Sequence, residues 1–196
     1  MEPMRFGMYG KDFAEELRPT TFYRLSNTLD NFKGDFRCAH VGYEIKRGTF
    51  SPSYFKWMYE QVGKDYRWWY FLQKTDTELA EYLKDKYCYT LMYMSNPVGF
   101  AILEVESKGS INLSYFGLTP EALANDHKGI GTYFLGEMIE EARYLGSRDA
   151  NFWVYTTNRD HPAALPVYRK VGFQLTRTYT DYEYIPLWTG VENESI

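Results

Sequence analysis

A strand-to-helix junction is predicted at Ala124-Asn-Asp-His-Lys-Gly-Ile-Gly-Thr132. Glycines let a ligand approach the backbone closely, and the N–H groups of a helix's first turn have no partners within the helix. The helix dipole adds partial positive charge at the same end. Asp126–Thr132 is therefore a candidate anion site suited to a pyrophosphate, with His127 and Lys128 adding charge nearby.

The glycine pair Gly129 and Gly131 has a second interpretation, because Gly-x-Gly also makes ordinary turns. Two other phosphate motifs do not fit. A P-loop needs Gly-x-x-x-x-Gly-Lys-Ser/Thr, which this sequence lacks. A dinucleotide fingerprint needs a third glycine in an early parallel β-α-β unit, whereas antiparallel strands are predicted before Gly129. From this segment alone, both a turn and an anion site stay open.

Two helices are predicted between residues 51 and 83. Ser51-Pro52 offers a hydroxyl N-cap followed by proline at the first helical position. Thr75-Asp-Thr-Glu78 matches a capping box, and Leu79 and Leu83 follow at helical spacing.

The next segment predicts an antiparallel meander. Three short runs rich in apolar and aromatic residues are separated by turn signals; they are Tyr87–Met94, Val98–Glu106 and Ser110–Leu118. Alternation along the third run predicts two faces, with Ile111, Leu113 and Tyr115 on one and Asn112, Ser114 and Phe116 on the other.

Helix and strand alternate beyond the junction. Helices are predicted over Gly129–Gly146 and near Pro162–Lys170, and strands over Asn151–Thr157 and from Phe173. The order of helices and strands predicts an α/β fold of the α+β type, with a mixed sheet and helices on both faces.

The first forty residues carry weaker signals. Lys11–Arg18 matches a short helix, and Thr21–Leu25 or Phe36–Lys46 match strands. We expect residues 1–37 to be an N-terminal extension packed on a domain of residues 38–196.

Composition and charge disfavour several classes of protein. Lys and Arg number 22 against 26 Asp and Glu, a net charge of −4, which gives no electrostatic argument for binding nucleic acid. No apolar run approaches the about 20 residues of a membrane helix, and no signal peptide is evident. Cys38 and Cys88 have neither metal-site nor disulfide spacing. We therefore expect a cytoplasmic protein with no metal and no membrane partner.

A second segment gives the glycine pair a context; it reads Asp160-His-Pro-Ala-Ala-Leu-Pro-Val-Tyr-Arg-Lys-Val-Gly-Phe173. Together the two segments resemble the GNAT superfamily of N-acetyltransferases. Its loop reads Gln/Arg-x-x-Gly-x-Gly/Ala, and its later helix reads Asn-x-x-Ala-x-x-x-Tyr-x-x-x-Gly-Phe. The matching residues are Gly129, Gly131, Ala164, Tyr168, Gly172 and Phe173. The resemblance covers residues 38–186.

The resemblance implies a mostly antiparallel sheet of about six to seven strands flanked by helices. It implies an enzyme that moves an acetyl group from acetyl-CoA to a primary amine of a small molecule by direct attack. Tyr168 would be the general acid that protonates the CoA thiolate, since a phenol with a pKa of about 10 is protonated at neutral pH. Packing of the helix on the sheet is the other role open to this ring.

The same resemblance assigns a set of residues to acetyl-CoA. Backbone N–H groups near Phe116 and Leu118 would bind the thioester carbonyl and the pantetheine amides, with ordinary strand pairing as the alternative. The other members are His127, Lys128, Gly129, Ile130, Gly131, Thr132, His161, Ala164 and Tyr168.

Two positions depart from the family motifs. Asp126 stands at the Gln/Arg position, where a carboxylate is unfavourable beside a pyrophosphate unless it caps the helix. The phosphate contacts are therefore expected from backbone N–H groups and Lys128. His161 stands at the Asn position and can replace part of the amide's hydrogen bonding.

The base and the acceptor site are less defined. Glu104 is a candidate base, with a solvated strand-end charge as its other reading and water as the alternative base. Trp68, Trp69 and Tyr115 are candidates for the amine site, where rings can stack or make cation–π contacts. Core packing is the other role open to the tryptophans.

Two other functions stay open. One is a catalytically weak acyl-CoA-binding sensor or interaction module of the same fold. The other is an enzyme that uses a different acyl donor or acylates a protein terminus. A homodimer is a possible assembly for any of these.

Overall fold

The structure, a computed structural model, describes residues 7–8, 11–12, 14–32, 41–106, 109–124 and 128–187. The strands are β1 (Gly7–Met8), β2 (Lys11–Asp12), β3 (Ala14–Thr28), β4 (Tyr43–Gly48), β5 (Tyr87–Tyr93), β6 (Asn96–Val105), β7 (Ile111–Leu118), β8 (Asn151–Thr157) and β9 (Gln174–Leu187). The α-helices are α1 (Pro52–Gly63), α2 (Asp76–Leu83), α3 (Pro120–Ala124), α4 (Ile130–Leu145) and α5 (Ala164–Val171).

Seven of these strands form one sheet in the order β4-β5-β6-β7-β8-β3-β9. Every neighbouring pair is antiparallel except β7 and β8, which run parallel. The predicted mixed, mostly antiparallel sheet is confirmed. Its single parallel pair lies at the junction between the meander and the α/β half of the chain.

The sheet has a hydrophobic core on each face. Successive residues of β6 point to opposite faces, so Leu103 joins the core of α4 and α5 whereas Ile102 joins the core of α1 and α2. Phe134 of α4 and Phe55 of α1 are fully buried in these two cores. Helices therefore cover both faces, as predicted.

The predicted starts of α1 and α2 are confirmed. The Ser51 side chain accepts a hydrogen bond from the Tyr54 N–H at 3.2 Å, and Pro52 is the first helical residue. Thr75 and Glu78 form both hydrogen bonds of a capping box. None of the helices in the described ranges is long and apolar enough to span a bilayer.

The N-terminal segment differs from its prediction. β3 lies inside the sheet, between β8 and β9; it pairs with β9 from Ala14 to Ser26 and with β8 from Phe22 to Thr28. The helix predicted over Lys11–Arg18 is wrong, because residues 14–18 extend β3 and pair with β9. The strand predicted at Thr21–Leu25 is confirmed. Residues 1–37 thus contribute an internal strand, and a boundary at residue 37 does not divide an extension from the domain.

The strand predicted over Phe36–Lys46 is found only in part. β4 begins at Tyr43, and residues 33–40, including Cys38, lie outside the described residues.

Strand β7 contains a bulge that alternation does not predict. Leu113 pairs with Leu103 of β6, and Tyr115 pairs with Ile102, the residue beside Leu103. Ser114 is therefore an extra residue in β7. One extra residue exchanges the faces of all residues beyond it. Phe116 therefore packs against the core that contains Leu113, whereas Tyr115 packs against the other core. The predicted faces of Tyr115 and Phe116 are wrong for this reason.

Candidate active site

The parallel pair β7 and β8 separates halfway along its length. The strands pair at only three positions, the last of which is Leu113 with Val154. β7 continues to Leu118 and β8 to Thr157, and between them a cleft of about 860 Å³ opens. This volume is typical of small-molecule sites. The bulge at Ser114 comes directly after the last pair, so it bends β7 where the strands part.

Backbone groups of β7 point into this cleft. The Thr119 N–H donates to the Val98 carbonyl of β6 at 2.9 Å. Hydrogen bonding alternates along a strand of an antiparallel pair. The Gly117 N–H is therefore also directed to β6, whereas the N–H groups of Phe116 and Leu118 are directed to the opposite side. On that side β8 has already separated. The N–H groups of Phe116 and Leu118 are thus directed into the cleft.

The first turn of α4 forms a second wall of the cleft. Gly129 has φ +93° and leads into the helix, and the first intrahelical bond runs from Tyr133 N–H to Gly129 carbonyl at 2.9 Å. The N–H groups of Ile130, Gly131 and Thr132 therefore have no acceptors within the helix, and no side chain in the described part of the chain is recorded as capping it. These residues line the cleft together with Lys128. Asp126 and His127 lie outside the described residues.

Gly131 lies close to the end of β7. A Cβ at this position would have Leu118 Cδ1 as its nearest neighbour, at 3.6 Å. The free N–H groups of α4 and those of β7 therefore face one space. The arrangement, a backbone cradle, fits a ligand that has both a phosphate and an extended chain, each bound by backbone N–H groups.

Tyr168 lies on α5 and reaches the same cleft. Its side chain is almost completely buried, with ring contacts to Phe116 at 6.2 Å and Phe173 at 5.8 Å. Gly172 has φ +118° and ends α5, which turns the Phe173 ring back against Tyr168. Burial, with a smaller contribution from the charge of Asp160, raises the pKa of Tyr168 well above its usual value. The phenol therefore stays protonated across the physiological pH range.

His161 and Ala164 also line the cleft. The His161 Nδ1 accepts a hydrogen bond from the Ala163 N–H at 3.0 Å, and its carbonyl accepts from Ala164 N–H at 2.8 Å. The imidazole thus accepts a hydrogen bond from the backbone two residues further on, in the turn that leads into α5.

The sequence analysis did not single out Asp160 as a site residue. One carboxylate oxygen accepts from the Thr156 hydroxyl at 2.9 Å and from the Thr157 N–H at 2.8 Å. The other accepts from Trp68 Nε1 at 3.2 Å. Asp160 thus lies between the separated strands and lines the cleft. The hydrogen bond from Thr157 spans only three residues, but Trp68 is 92 residues away in the chain.

Aromatic residues from the α1 side complete the cleft. The predicted acceptor residues Trp68 and Tyr115 both line it, with ring centroids 5.6 Å apart, and Tyr59 and Tyr66 lie beside them. Burial raises the pKa of Tyr59 and of Tyr115 well above the usual range, so both phenols stay neutral. Trp69 is not brought to the cleft, because it packs against the core under α1 and α2.

Glu104 is not brought to the cleft either. Its carboxylate accepts hydrogen bonds from Ser114 and from Tyr82, the latter at 3.2 Å, and pairs with Lys86 at 2.9 Å. A carboxylate with these three partners, outside the cleft lining, is not positioned to accept a proton there.

The far wall of the cleft comes from β3, β8 and β9. The ring of Phe22 stacks on Tyr179 at 5.0 Å, and Arg159 forms an ion pair with Glu183. The ion pair uses Nη2 of Arg159, whereas its Nε and Nη1 atoms are buried and have no hydrogen-bond partner among the described residues. This wall depends on the N-terminal strand, which sequence reasoning treated as an addition to the domain.

Several solved structures with the same fold are acetyltransferases in name. A GCN5-related N-acetyltransferase from Sphaerobacter thermophilus aligns with a TM-score of 0.59 and 17% identity, over 87% of this chain and 54% of that one. A GNAT family acetyltransferase from Elizabethkingia anophelis, with acetyl-CoA bound, aligns with a TM-score of 0.53 and 16% identity, over 70% of this chain and 80% of that one. An acetyltransferase from Bacillus subtilis in complex with CoA aligns with a TM-score of 0.52 and 18% identity, over 69% of this chain and 78% of that one.

The chain therefore has the fold of the GCN5-related N-acetyltransferases. It spans 52% to 62% of the length of several solved structures that it matches, including that from Sphaerobacter thermophilus. No protein-family model and no curated protein sequence matches it significantly.

Proposed function

We propose that this protein is an acetyltransferase that takes acetyl-CoA as the donor and a primary amine of a small molecule as the acceptor. One observation carries the proposal. The separation of β7 from β8 brings the free N–H groups of α4, the inward N–H groups of β7 and the phenol of Tyr168 into a single cleft.

The donor arm of the cleft fits acetyl-CoA by its chemistry. The first turn of α4 offers N–H groups, a positive dipole end and Lys128 to a pyrophosphate. The N–H groups of Phe116 and Leu118 suit the amides of an extended pantetheine arm, which would add to β7 as a further strand. The same groups would stabilise negative charge on the thioester oxygen as it develops.

Transfer then requires one bond to form and one to break. The amine nitrogen attacks the thioester carbonyl carbon, a C–N bond forms, and the C–S bond breaks. The amine loses one proton in this exchange and the CoA sulfur gains one. Tyr168 supplies the proton to the sulfur, because its phenol lies beside Phe116 and stays protonated at neutral pH.

The proposal is tested by thiol release from acetyl-CoA across a panel of primary amines. Calorimetric titration of acetyl-CoA gives donor binding separately. Binding together with release for at least one amine would support an acetyltransferase. Binding without release for any amine would favour the sensor that shares this fold, and absence of binding would refute the donor assignment.

Replacement of Tyr168 by phenylalanine tests the proposed acid. Tyr168→Phe should lower kcat by about 100-fold or more while leaving the acetyl-CoA dissociation constant nearly unchanged, because the ring is kept and only the proton donor is lost. Tyr144→Phe is the matched control, since Tyr144 is 80% exposed on α4. Full activity in Tyr168→Phe would remove the acid role.

A further inference from the structure

We propose that Asp160 is the residue that binds the acceptor amine and receives its proton, and that the acceptor is a cationic primary amine carried on a flat apolar group. The proposal rests on the acetyltransferase function proposed above. It adds a catalytic residue and a substrate class to that function.

The position of Asp160 follows from the separated strands. Hydrogen bonding alternates along β8 as it does along β7. The Asn158 N–H donates to Thr21 of β3 at 3.0 Å, so the Thr157 N–H is directed away from β3 and into the cleft. Asp160 accepts that N–H at 2.8 Å. Its carboxylate is therefore held in the opening itself, and Tyr168 lines the same cleft.

The carboxylate is held rigidly. Three donors of three different kinds, a backbone N–H, a hydroxyl and an indole N–H, contact its two oxygens. Each carboxylate oxygen has two lone pairs, so acceptor capacity remains after these hydrogen bonds are made. Such supporting contacts fix the orientation of a group that acts on a substrate.

The charge of Asp160 is not balanced by a neighbouring cation. None of the basic side chains in the described part of the chain forms an ion pair with it, and the adjacent Arg159 is paired with Glu183. A partly buried carboxylate without a counter-ion is costly unless a ligand supplies one. An ammonium group supplies that charge.

The surroundings of Asp160 define what the ammonium is attached to. The indole that donates to Asp160 belongs to Trp68, whose ring contacts Tyr115 at 5.6 Å and Tyr59 at 5.3 Å. Rings beside a carboxylate bind a cation through their faces and an apolar body through their area. Both contacts are available to an arylalkylamine.

The proton then has a defined destination. The bound ammonium first releases one proton to solvent, because only the neutral amine has a lone pair for attack. As the C–N bond forms, the attacking nitrogen becomes acidic and its second proton passes to the Asp160 carboxylate, which becomes neutral. The Tyr168 proton passes to the sulfur, and exchange with solvent returns a proton from Asp160 to the phenolate. The negative charge of Asp160 contributes to the raised pKa of Tyr168, so its neutralisation makes Tyr168 a stronger acid when the thiolate departs.

The experiment uses benzylamine as the probe and benzyl alcohol as its uncharged counterpart. Calorimetry on the wild-type protein saturated with CoA should show benzylamine binding at least about tenfold more tightly than benzyl alcohol. Equal affinities would overturn the proposal, whatever the behaviour of any variant.

Asp160→Asn then isolates the charge. The variant should weaken benzylamine binding by about tenfold or more and lower kcat/KM for its acetylation by about 100-fold, with benzyl alcohol and acetyl-CoA binding unchanged. Asp149→Asn, at an exposed aspartate before β8, is the matched control and should behave as wild type. Parallel loss of both aromatic ligands in Asp160→Asn would indicate a structural role and overturn the proposal.

The two proposals fail in different ways. Acetylation that persists in Asp160→Asn would refute the role of Asp160 and leave the acetyltransferase standing. Benzylamine binding that depends on Asp160, without thiol release for any amine, would refute acetyl transfer and leave the ammonium site standing.

Discussion

Gly131 sets how closely a ligand can approach the first turn of α4. Its neighbour Gly129 is required by backbone conformation, since φ +93° is a left-handed value that side chains disfavour. Gly131 is different, because an added Cβ would meet Leu118 alone among the described residues, at an ordinary 3.6 Å. Space for a ligand, and not strain, is therefore what a larger side chain at Gly131 would remove.

This difference predicts a graded series at Gly131. Gly131→Trp should weaken acetyl-CoA binding by about 100-fold, because its ring would occupy the cradle and block charge-assisted hydrogen bonds to the phosphates. Gly131→Ala should lose much less acetyl-CoA affinity than Gly131→Trp. Calorimetry gives the dissociation constants, and thermal unfolding checks the fold.

Gly48→Trp is the control for the added ring. Gly48 ends edge strand β4, where a Cβ would meet nothing within 4 Å, and the variant should keep wild-type affinity. Equal acetyl-CoA affinity in Gly131→Trp and wild type would refute the cradle.

Residues of the cleft differed in how far the sequence could predict them. The cleft positions of Gly131 and Tyr168 were predictable through the family resemblance, whose motifs are local in sequence and fall on the first turn of α4 and on α5. Asp160 was not, because its orientation depends on Trp68, which only the tertiary fold brings near. The partners of Glu104 were not predictable for the same reason, since Lys86, which precedes β5, is 18 positions away in the chain and pairs with its carboxylate at 2.9 Å.

At the scale of elements, the crossing of α1 over β7 controls the shape of the cleft. The two meet at Gly117, where a Cβ would lie 2.2 Å from Val62 Cγ1. Val62 is buried and β-branched, so it has little freedom to move away. The close approach keeps Trp68 near the separated strands, since its ring lies 3.8 Å from the same point.

Gly117→Ala should therefore destabilise the protein by about 1–3 kcal/mol, as expected for overpacking. The double variant with Val62→Ala should recover part of that loss, because the clashing methyl is removed. Urea unfolding of wild type, both single variants and the double variant gives the coupling energy. Strict additivity of the two changes would contradict the contact.

Elements whose signals are local were predicted well, and the bulge was not. The caps at Ser51 and Thr75 involve side chains within three residues of their partners, so the sequence contains the whole signal. The extra residue Ser114 has no such signal, because a bulge is defined by the register of the partner strand. That one residue reversed the predicted faces of Tyr115 and Phe116.

At the scale of the whole molecule, strands from near the two ends of the described chain pair with each other at one side of the sheet. β3 pairs with β9 from Ala14 with Leu187 to Ser26 with Gln174. Contacts this distant in sequence leave no periodicity that distinguishes an internal strand from an added one. Local sequence patterns also contain no information on the entropic cost of closing so long a loop. The assignment of residues 1–37 to an extension reflects this limit.

The internal position of β3 leads to a prediction about truncation. Removing residues 1–28 deletes the strand between β8 and β9, which leaves both without a partner on that side and removes Phe22 from the cleft wall. We expect loss of cooperative thermal unfolding and of acetyl-CoA binding. Removing residues 1–13 is the control, because it keeps β3, and it should retain both properties. A cooperative transition with intact acetyl-CoA binding after removal of residues 1–28 would show that the sheet and the donor arm form without β3.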